Sequence, residues 1–76
     1  MAKLETIGER AAWAIDEQCV LNRTKKYEEC EKLDMNASLL SMWRCGRADP
    51  GAYFLANMAR NGYDIFWILT GRKNEQ

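Results

Sequence analysis

The sequence contains no histidine, and its three cysteines lack the C-x-x-C spacing of a zinc site or a redox pair. The cysteines also lack a basic partner at a recognisable spacing, and no glycine-rich phosphate loop is present. The neighbouring acids Glu28 and Glu29 diverge on a helix and do not form a catalytic pair. We therefore expect no enzyme activity, no metal or other cofactor, and no small-molecule substrate.

Long apolar runs are also missing. No run approaches the roughly 20 residues that a bilayer span needs, and the first residues lack the basic and then apolar pattern of a signal segment. We expect no membrane partner. The cysteine usage indicates a reducing cytoplasm, with Cys19, Cys30 and Cys45 as buried or half-buried thiols.

An excess of charge of either sign is absent, since 11 basic residues face 11 acidic ones. This balance excludes a wholly cationic protein and any general attraction to nucleic acid, so a charged binding surface has to be local. The middle of the chain, residues 21–47, is its basic part, with six bases against four acids: Arg23, Lys25, Lys26, Lys32, Arg44 and Arg47 against Glu28, Glu29, Glu31 and Asp34.

What the sequence does contain is helical periodicity over a length of 76 residues, enough for one domain with one core. We expect this domain to cover residues 1–73, followed by a polar tail or linker start at 74–76. In "TIGE", Thr6 and Glu9 form a predicted capping box for a first helix over about residues 4–20. Its inward face is predicted to comprise Leu4, Ile7, Ala11, Ala14, Ile15 and Cys19.

Four further helices are predicted, and no alternating strand pattern is present. Thr24 is the expected cap of a helix over about 24–34, and Asn36 that of a third helix, which Gly46 ends. Pro50 is predicted as the first residue of a fourth helix. The fourth helix has the apolar face Phe54, Leu55, Met58 and Ala59, and the fifth runs from its cap Asp64 to Gly71.

A turn of two or three residues between the second and third helices is typical of a helix-turn-helix. This unit needs a small residue on its first helix and a turn residue that tolerates a left-handed backbone. Cys30 and Asp34 stand at these places, because cysteine is small and aspartate accepts that conformation better than most residues.

Two segments carry a family resemblance: "CEKLDMNASLLSMWRCGRADP" and "LANMARNGYDIFWILTGRKN". Together they resemble the helix-turn-helix domain of phage CI-type repressors, in the Cro/repressor-like (lambda repressor-like) group, over about residues 24–73. The resemblance implies an all-α, compact five-helix bundle that binds double-stranded operator DNA and regulates transcription. Asp34 stands where the family usually has glycine. The sequence also has additional residues before the second helix, which lengthen the first helix or form a loop.

The third helix divides into a side for the core, with Leu40 and Trp43, and a polar side for the major groove. The resemblance implies base contacts by Ala37, Ser38, Ser41 and Met42. Phosphate contacts are expected from Arg23, Lys25, Lys26, Asn36, Arg44 and Arg47. The alternative for the basic residues is a solvated set paired with Glu28, Glu29 and Glu31.

Most of six aromatic residues are expected in the core. The six are Trp13, Tyr27, Trp43, Tyr53, Phe54 and Trp67. The fifth helix has more apolar residues than one core contact needs. With the first helix it is predicted to form a homodimer contact through Ile65, Phe66 and Ile68. The alternative is packing of the fifth helix on the first within a monomer. The alternative function is a protein-interaction module, such as an antirepressor or an antitoxin-like adaptor, which uses the same fold without reading DNA.

Overall fold

The structure, a computed structural model, describes residues 4–72. It contains five helices and no strand within that range: α1 (Ile7–Asn22), α2 (Lys26–Lys32), α3 (Ala37–Arg44), α4 (Ala52–Arg60) and α5 (Ile65–Thr70). The prediction of an all-α bundle of five helices is confirmed. The predicted tail, residues 74–76, lies outside the described residues.

Helix α1 begins with the predicted capping box. The Thr6 hydroxyl accepts from the Glu9 N–H at 3.0 Å, and the Glu9 carboxylate accepts from the Thr6 N–H at 3.0 Å. The helix starts at Ile7 and not near residue 4, because the box fixes its first turn. It continues to Asn22, and Arg23 ends it in the left-handed region at φ 54°. The additional residues of the sequence therefore lengthen α1 and do not form a loop.

Helix α2 is shorter than predicted and does not begin at Thr24. The Thr24 N–H donates to the Cys19 carbonyl at 3.0 Å, so this residue completes the end of α1. Lys25 is the N-cap residue of α2, and its N–H donates to the Glu28 carboxylate at 3.0 Å. The turn to α3 spans residues 33–36, which is longer than the predicted two or three residues.

The other helix ends follow the prediction with one exception. Asn36 caps α3, Gly46 follows it at φ +73°, Asp64 caps α5, and Gly71 ends α5 at φ +75°. Pro50 is not the first residue of α4, because Gly51 is the N-cap residue and the helix starts at Ala52. Gly46, Gly71 and Gly62 (φ +86°) all use the left-handed backbone that glycine adopts without a steric cost.

The core lies around α1, which packs on α2, α3 and α5, while α4 packs on α5. Fully buried side chains come from every helix and from the turns: Ala11, Ala12, Ile15, Cys30, Leu33, Leu40, Trp43, Met58 and Ile68. Two expectations for the core are wrong: that Ala59 faces inward, and that most of the six aromatic residues lie in the core. Ala59 is exposed, Trp13 is 46% exposed, and Tyr27 and Tyr53 are each 59% exposed.

The amino-terminal half of α1 is held by two contacts that the sequence did not indicate. The Gly8 N–H donates to the Asp49 carboxylate at 2.8 Å, and a Cβ at Gly8 would lie 2.2 Å from the Ala48 carbonyl oxygen. Arg10 is buried, and its guanidinium donates to the carbonyls of Ile68 at 2.8 Å and Leu69 at 3.3 Å. The loop after α3 and the end of α5 are therefore both fixed to α1.

Candidate nucleic-acid interface

Helix α3 divides into a buried side and an exposed side, as the sequence predicts. Leu40 is 2% exposed and Trp43 is 1% exposed, so these two side chains fix the helix to the core. The opposite side is exposed throughout and consists of Asn36, Ala37, Ser38, Ser41 and Met42. The residues predicted to contact bases thus share one accessible surface, which we call the α3 face.

The position of α3 is fixed by neighbours on two helices. The Trp43 ring meets the Phe54 ring of α4 edge to face, with centroids 5.7 Å apart. Helix α1 packs along the same buried side. Because both anchors of α3 are nearly fully buried, the helix is a rigid support for the side chains on its exposed side.

The turn between α2 and α3 is supported by α4, which sequence reasoning missed. Asp34 adopts the left-handed region at φ 54°, as expected for the residue in the place of a glycine. Its carboxylate accepts a hydrogen bond from the Tyr53 hydroxyl. The Asn57 amide also donates to the Leu33 carbonyl at 3.0 Å. Two side chains of α4 therefore hold the turn that sets the angle between α2 and α3.

Hydrogen bonds at the start of α3 constrain the polar groups of the α3 face. The Asn36 side-chain oxygen accepts from the Ser38 N–H at 3.0 Å and from the Ser38 hydroxyl at 3.1 Å. The amide of Asn36 keeps its N–H donors, but its oxygen is used within the protein. Because the Ser38 hydroxyl has donated its proton, it has only acceptor capacity left for a ligand.

Two of the predicted phosphate-binding residues form ion pairs with α1. A single nitrogen of the Arg44 guanidinium, Nη2, donates to both carboxylate oxygens of Asp16, at 2.7 and 2.9 Å. The Lys26 ammonium lies 3.9 Å from the same carboxylate. The alternative pairing with Glu28, Glu29 and Glu31 is therefore wrong for both residues. Arg44 keeps its other nitrogen donors, since Asp16 occupies only one.

The other predicted phosphate-binding residues, Arg23, Lys25 and Arg47, are exposed. None of the three has a carboxylate within ion-pair distance in the part of the chain that the structure describes. The Lys25 ammonium lies 5.9 Å from the centroid of the Tyr27 ring, in a cation–π contact. Arg23 and Lys25 lie before α2, and Arg47 follows α3, so positive charge occurs at both ends of the helix pair.

A buried polar contact joins α2 to the turn before α5. Glu29 is 3% exposed and accepts a hydrogen bond from the Tyr63 hydroxyl at 2.7 Å. Its second oxygen has no hydrogen-bond partner within residues 4–72, and the Lys32 ammonium lies 3.8 Å from it. Burial, and next the hydrogen bond to Glu29, raises the pKa of Tyr63 above its ordinary range. Glu29 is therefore a structural residue and not part of a solvated acidic set.

The cysteines differ from one another in exposure. Cys19 and Cys30 are buried, and burial is the main cause that raises the pKa of each thiol. Cys45 is exposed at the end of α3, so the expectation that all three thiols are at least half-buried is wrong for this residue. Within residues 4–72, no cluster of three or more potential metal ligands occurs.

The predicted dimer residues lie in different environments. Phe66 is 45% exposed and Ile65 is partly buried, but Ile68 is 0% exposed, so its assignment to an interface is wrong. Ile68 belongs to the core because it faces α1. Two further exposed apolar side chains were not predicted: Leu69 on α5 is 43% exposed, and Trp13 on α1 is 46% exposed, with its ring centroid 5.4 Å from that of Trp67. We call the exposed side chains of Trp13, Phe66 and Leu69 the α1–α5 surface.

Comparison with protein-family models, with curated proteins and with solved structures finds no match to this chain. Among the described residues, no helix combines the length and apolar character needed to cross a membrane.

Proposed function

We propose that this protein is a transcriptional regulator of the phage CI repressor type, which binds double-stranded operator DNA in the cytoplasm. In this proposal α2 lies across the DNA backbone, and α3 enters the major groove as the recognition helix. The observation that carries the proposal is the α3 face, whose five residues are all exposed while Leu40 and Trp43 hold the other side of the helix. Bound operator DNA is then unavailable to other proteins at a promoter.

The charge distribution supports this placement. Arg23, Lys25 and Lys26 precede or begin α2, and Arg44 and Arg47 end or follow α3. Phosphate groups border the major groove on both sides, and basic side chains that bind them fix the register of the protein. Base contacts then come from Ala37, Ser38, Ser41 and Met42, and Asn36 uses its free amide hydrogens for a backbone contact.

We further propose that two copies pair through the α1–α5 surface. Paired copies match the two-fold symmetry of palindromic operators. Trp13, Phe66 and Leu69 are each more than 40% exposed, and together they offer apolar area that a second copy can cover. Sedimentation of the protein without DNA tests this part: a monomer at tens of micromolar contradicts it, and loss of the dimer in Phe66→Ser supports it.

The first experiment for the function is selection of bound sites from random duplexes, followed by a salt titration with the best site. Phosphate contacts release counterions, so the logarithm of the binding constant falls with the logarithm of salt by about 0.9 per neutralised phosphate. We expect Lys26→Ala and Arg47→Ala each to reduce this slope by about one. A matched control is Arg60→Ala, which removes the same charge from α4, where the side chain bonds to Asn57.

A second candidate function is a protein-interaction module with the same fold. The observation in its favour is the apolar surface near the end of α1, where Val20 is 73% exposed and Leu21 is 68% exposed. The salt titration separates the two candidates. If no duplex binds at low salt, or if binding is unaffected by Lys26→Ala, Arg47→Ala and changes on the α3 face, the interaction module is favoured.

A further inference from the structure

The α3 face contains little hydrogen-bonding chemistry that identifies a base. Among its exposed residues, Ala37 and Met42 are apolar, and Ser38 and Ser41 carry hydroxyls. Residues four apart on a helix lie one above the other, so Ser38 lies above Met42, and Ala37 lies above Ser41. Each of these two pairs therefore combines one hydroxyl with one apolar side chain.

The hydrogen bonds of this surface weaken its polar readout further. The Ser38 hydroxyl donates to Asn36 at 3.1 Å and keeps only its acceptor capacity, and the oxygen of Asn36 is used in the same contact. Arg44, at the other end of the helix, has one guanidinium nitrogen bound to Asp16, and its other donors are assigned to a phosphate contact. A hydroxyl such as that of Ser41 accepts or donates, so it discriminates weakly between bases.

Met42 is the largest exposed side chain in the middle of this face, at 44% exposure. In the major groove it would meet base edges that are largely polar, and their largest apolar group is the C5 methyl of thymine. A thioether that covers a polar edge desolvates it without a hydrogen bond, which costs free energy. A thioether that covers a methyl group instead removes apolar area from water on both partners.

We propose that Met42 is the specificity-determining residue of the α3 face and recognises a C5 methyl group on a pyrimidine. This inference rests on the proposed function, since it assigns a target group to the same surface. Thymine and 5-methylcytosine carry the same methyl group, so both belong to the class of bases that Met42 recognises. Ala37, whose methyl group is also exposed, adds a smaller contact of the same kind.

The test uses the duplex obtained by selection from random sequences and replaces its thymines one at a time by deoxyuridine. This exchange removes only the methyl group and keeps the base pair. Wild-type protein is expected to lose about fourfold in affinity at one thymine of each half-site, the effect of one buried methyl group. A second arm places cytosine or 5-methylcytosine at that position, and the methylated base is expected to bind better by a similar factor.

Two variants connect the effect to the residue. Met42→Ala is expected to bring the ratio of affinities for the thymine and deoxyuridine duplexes close to one. Met42→Leu keeps an apolar side chain of similar size and is expected to preserve most of the wild-type ratio. Because Met42 is exposed, neither change removes core packing, and circular dichroism of both variants checks the fold. Leu21→Ala is the control: it shortens an apolar side chain on α1 that is 68% exposed and outside the α3 face, and it leaves the ratio unchanged.

The inference is overturned if no uridine exchange weakens wild-type binding, if Met42→Ala keeps the full ratio, or if selection yields no preferred sequence. These outcomes differ from failure of the proposed function, in which no duplex binds even at low salt. If a duplex still binds but the methyl group has no effect, only the role of Met42 is contradicted and the proposed function stands.

Discussion

The contact between Arg10 and the end of α5 leads to a strong prediction for stability. Arg10 is 8% exposed, and its guanidinium donates to the carbonyls of Ile68, Leu4 and Leu69 at 2.8, 2.9 and 3.3 Å. The last carbonyls of a helix have no partner within it, and they lie at the negative end of its dipole. Arg10 therefore satisfies two carbonyls at the end of α5, next to the Gly71 N–H, which donates to the Trp67 carbonyl at 2.7 Å.

We expect Arg10→Met, which keeps a long apolar stem, to lower the free energy of unfolding by about 2–4 kcal/mol. A hydrogen bond to a charged group contributes about 1.5–3 kcal/mol, but the third bond is long and methionine avoids the desolvation cost of the guanidinium. In a domain of this size each kcal/mol corresponds to about 4–8 °C, so the melting temperature falls by roughly 8–32 °C.

Urea and thermal unfolding, followed by far-ultraviolet circular dichroism, measure this effect. Arg60→Met is the matched control, because Arg60 is exposed and its side chain donates to the Asn57 side-chain oxygen at 2.9 Å. Surface changes of this kind stay within about 0.5 kcal/mol of wild type. If Arg10→Met is as stable as Arg60→Met, the reasoning that the buried guanidinium caps α5 is refuted.

Three further predictions follow from other contacts. Leu40→Ala is expected to lower the free energy of unfolding in urea by about 3–5 kcal/mol, because the side chain is 2% exposed and leaves a cavity; a loss under 1 kcal/mol contradicts this. Asp16→Asn is expected to raise DNA affinity about twofold to fivefold, because it releases Arg44 from a surface ion pair; fluorescence anisotropy measures the change, and weaker binding contradicts it. The raised pKa of Tyr63 is expected to make stability fall above about pH 10, since the tyrosine ionises near 10.0 in the unfolded state and stays protonated in the folded one. Urea titrations at rising alkaline pH measure this decline, which is expected to be shallower in Tyr63→Phe.

Local signals in the sequence were sufficient for much of the fold. The Thr6 box, the Asn36 and Asp64 caps and the glycines at 46 and 71 act within a few residues, so the helix ends that they mark are confirmed. Thr24 is the instructive failure. It is a good capping residue for α2, but its N–H donates to the Cys19 carbonyl at the end of α1. Local propensity cannot show to which of two neighbouring helices such a residue will bond.

Contacts between distant segments could not be predicted in the same way. Ile68 and Trp13 are both large and apolar, and only the packing of α5 on α1 decides that the first is buried and the second exposed. The pairing of Arg44 with Asp16 joins residues 28 positions apart, whereas the sequence suggested nearer acids. The exposed side of α3 was predictable because Leu40 and Trp43 alone fix its orientation.

The hydrogen bond between α4 and the turn before α3 has a consequence for how such a sequence can change over time. An aspartate in a left-handed backbone carries a steric cost that glycine does not, and here the Tyr53 hydroxyl binds that aspartate. We therefore expect the two positions to evolve together in any descendant of this protein. A descendant with glycine at position 34 no longer needs tyrosine at position 53, because glycine adopts this backbone without a steric cost. If the tyrosine is lost first, the turn keeps the strained aspartate without the hydrogen bond that supports it.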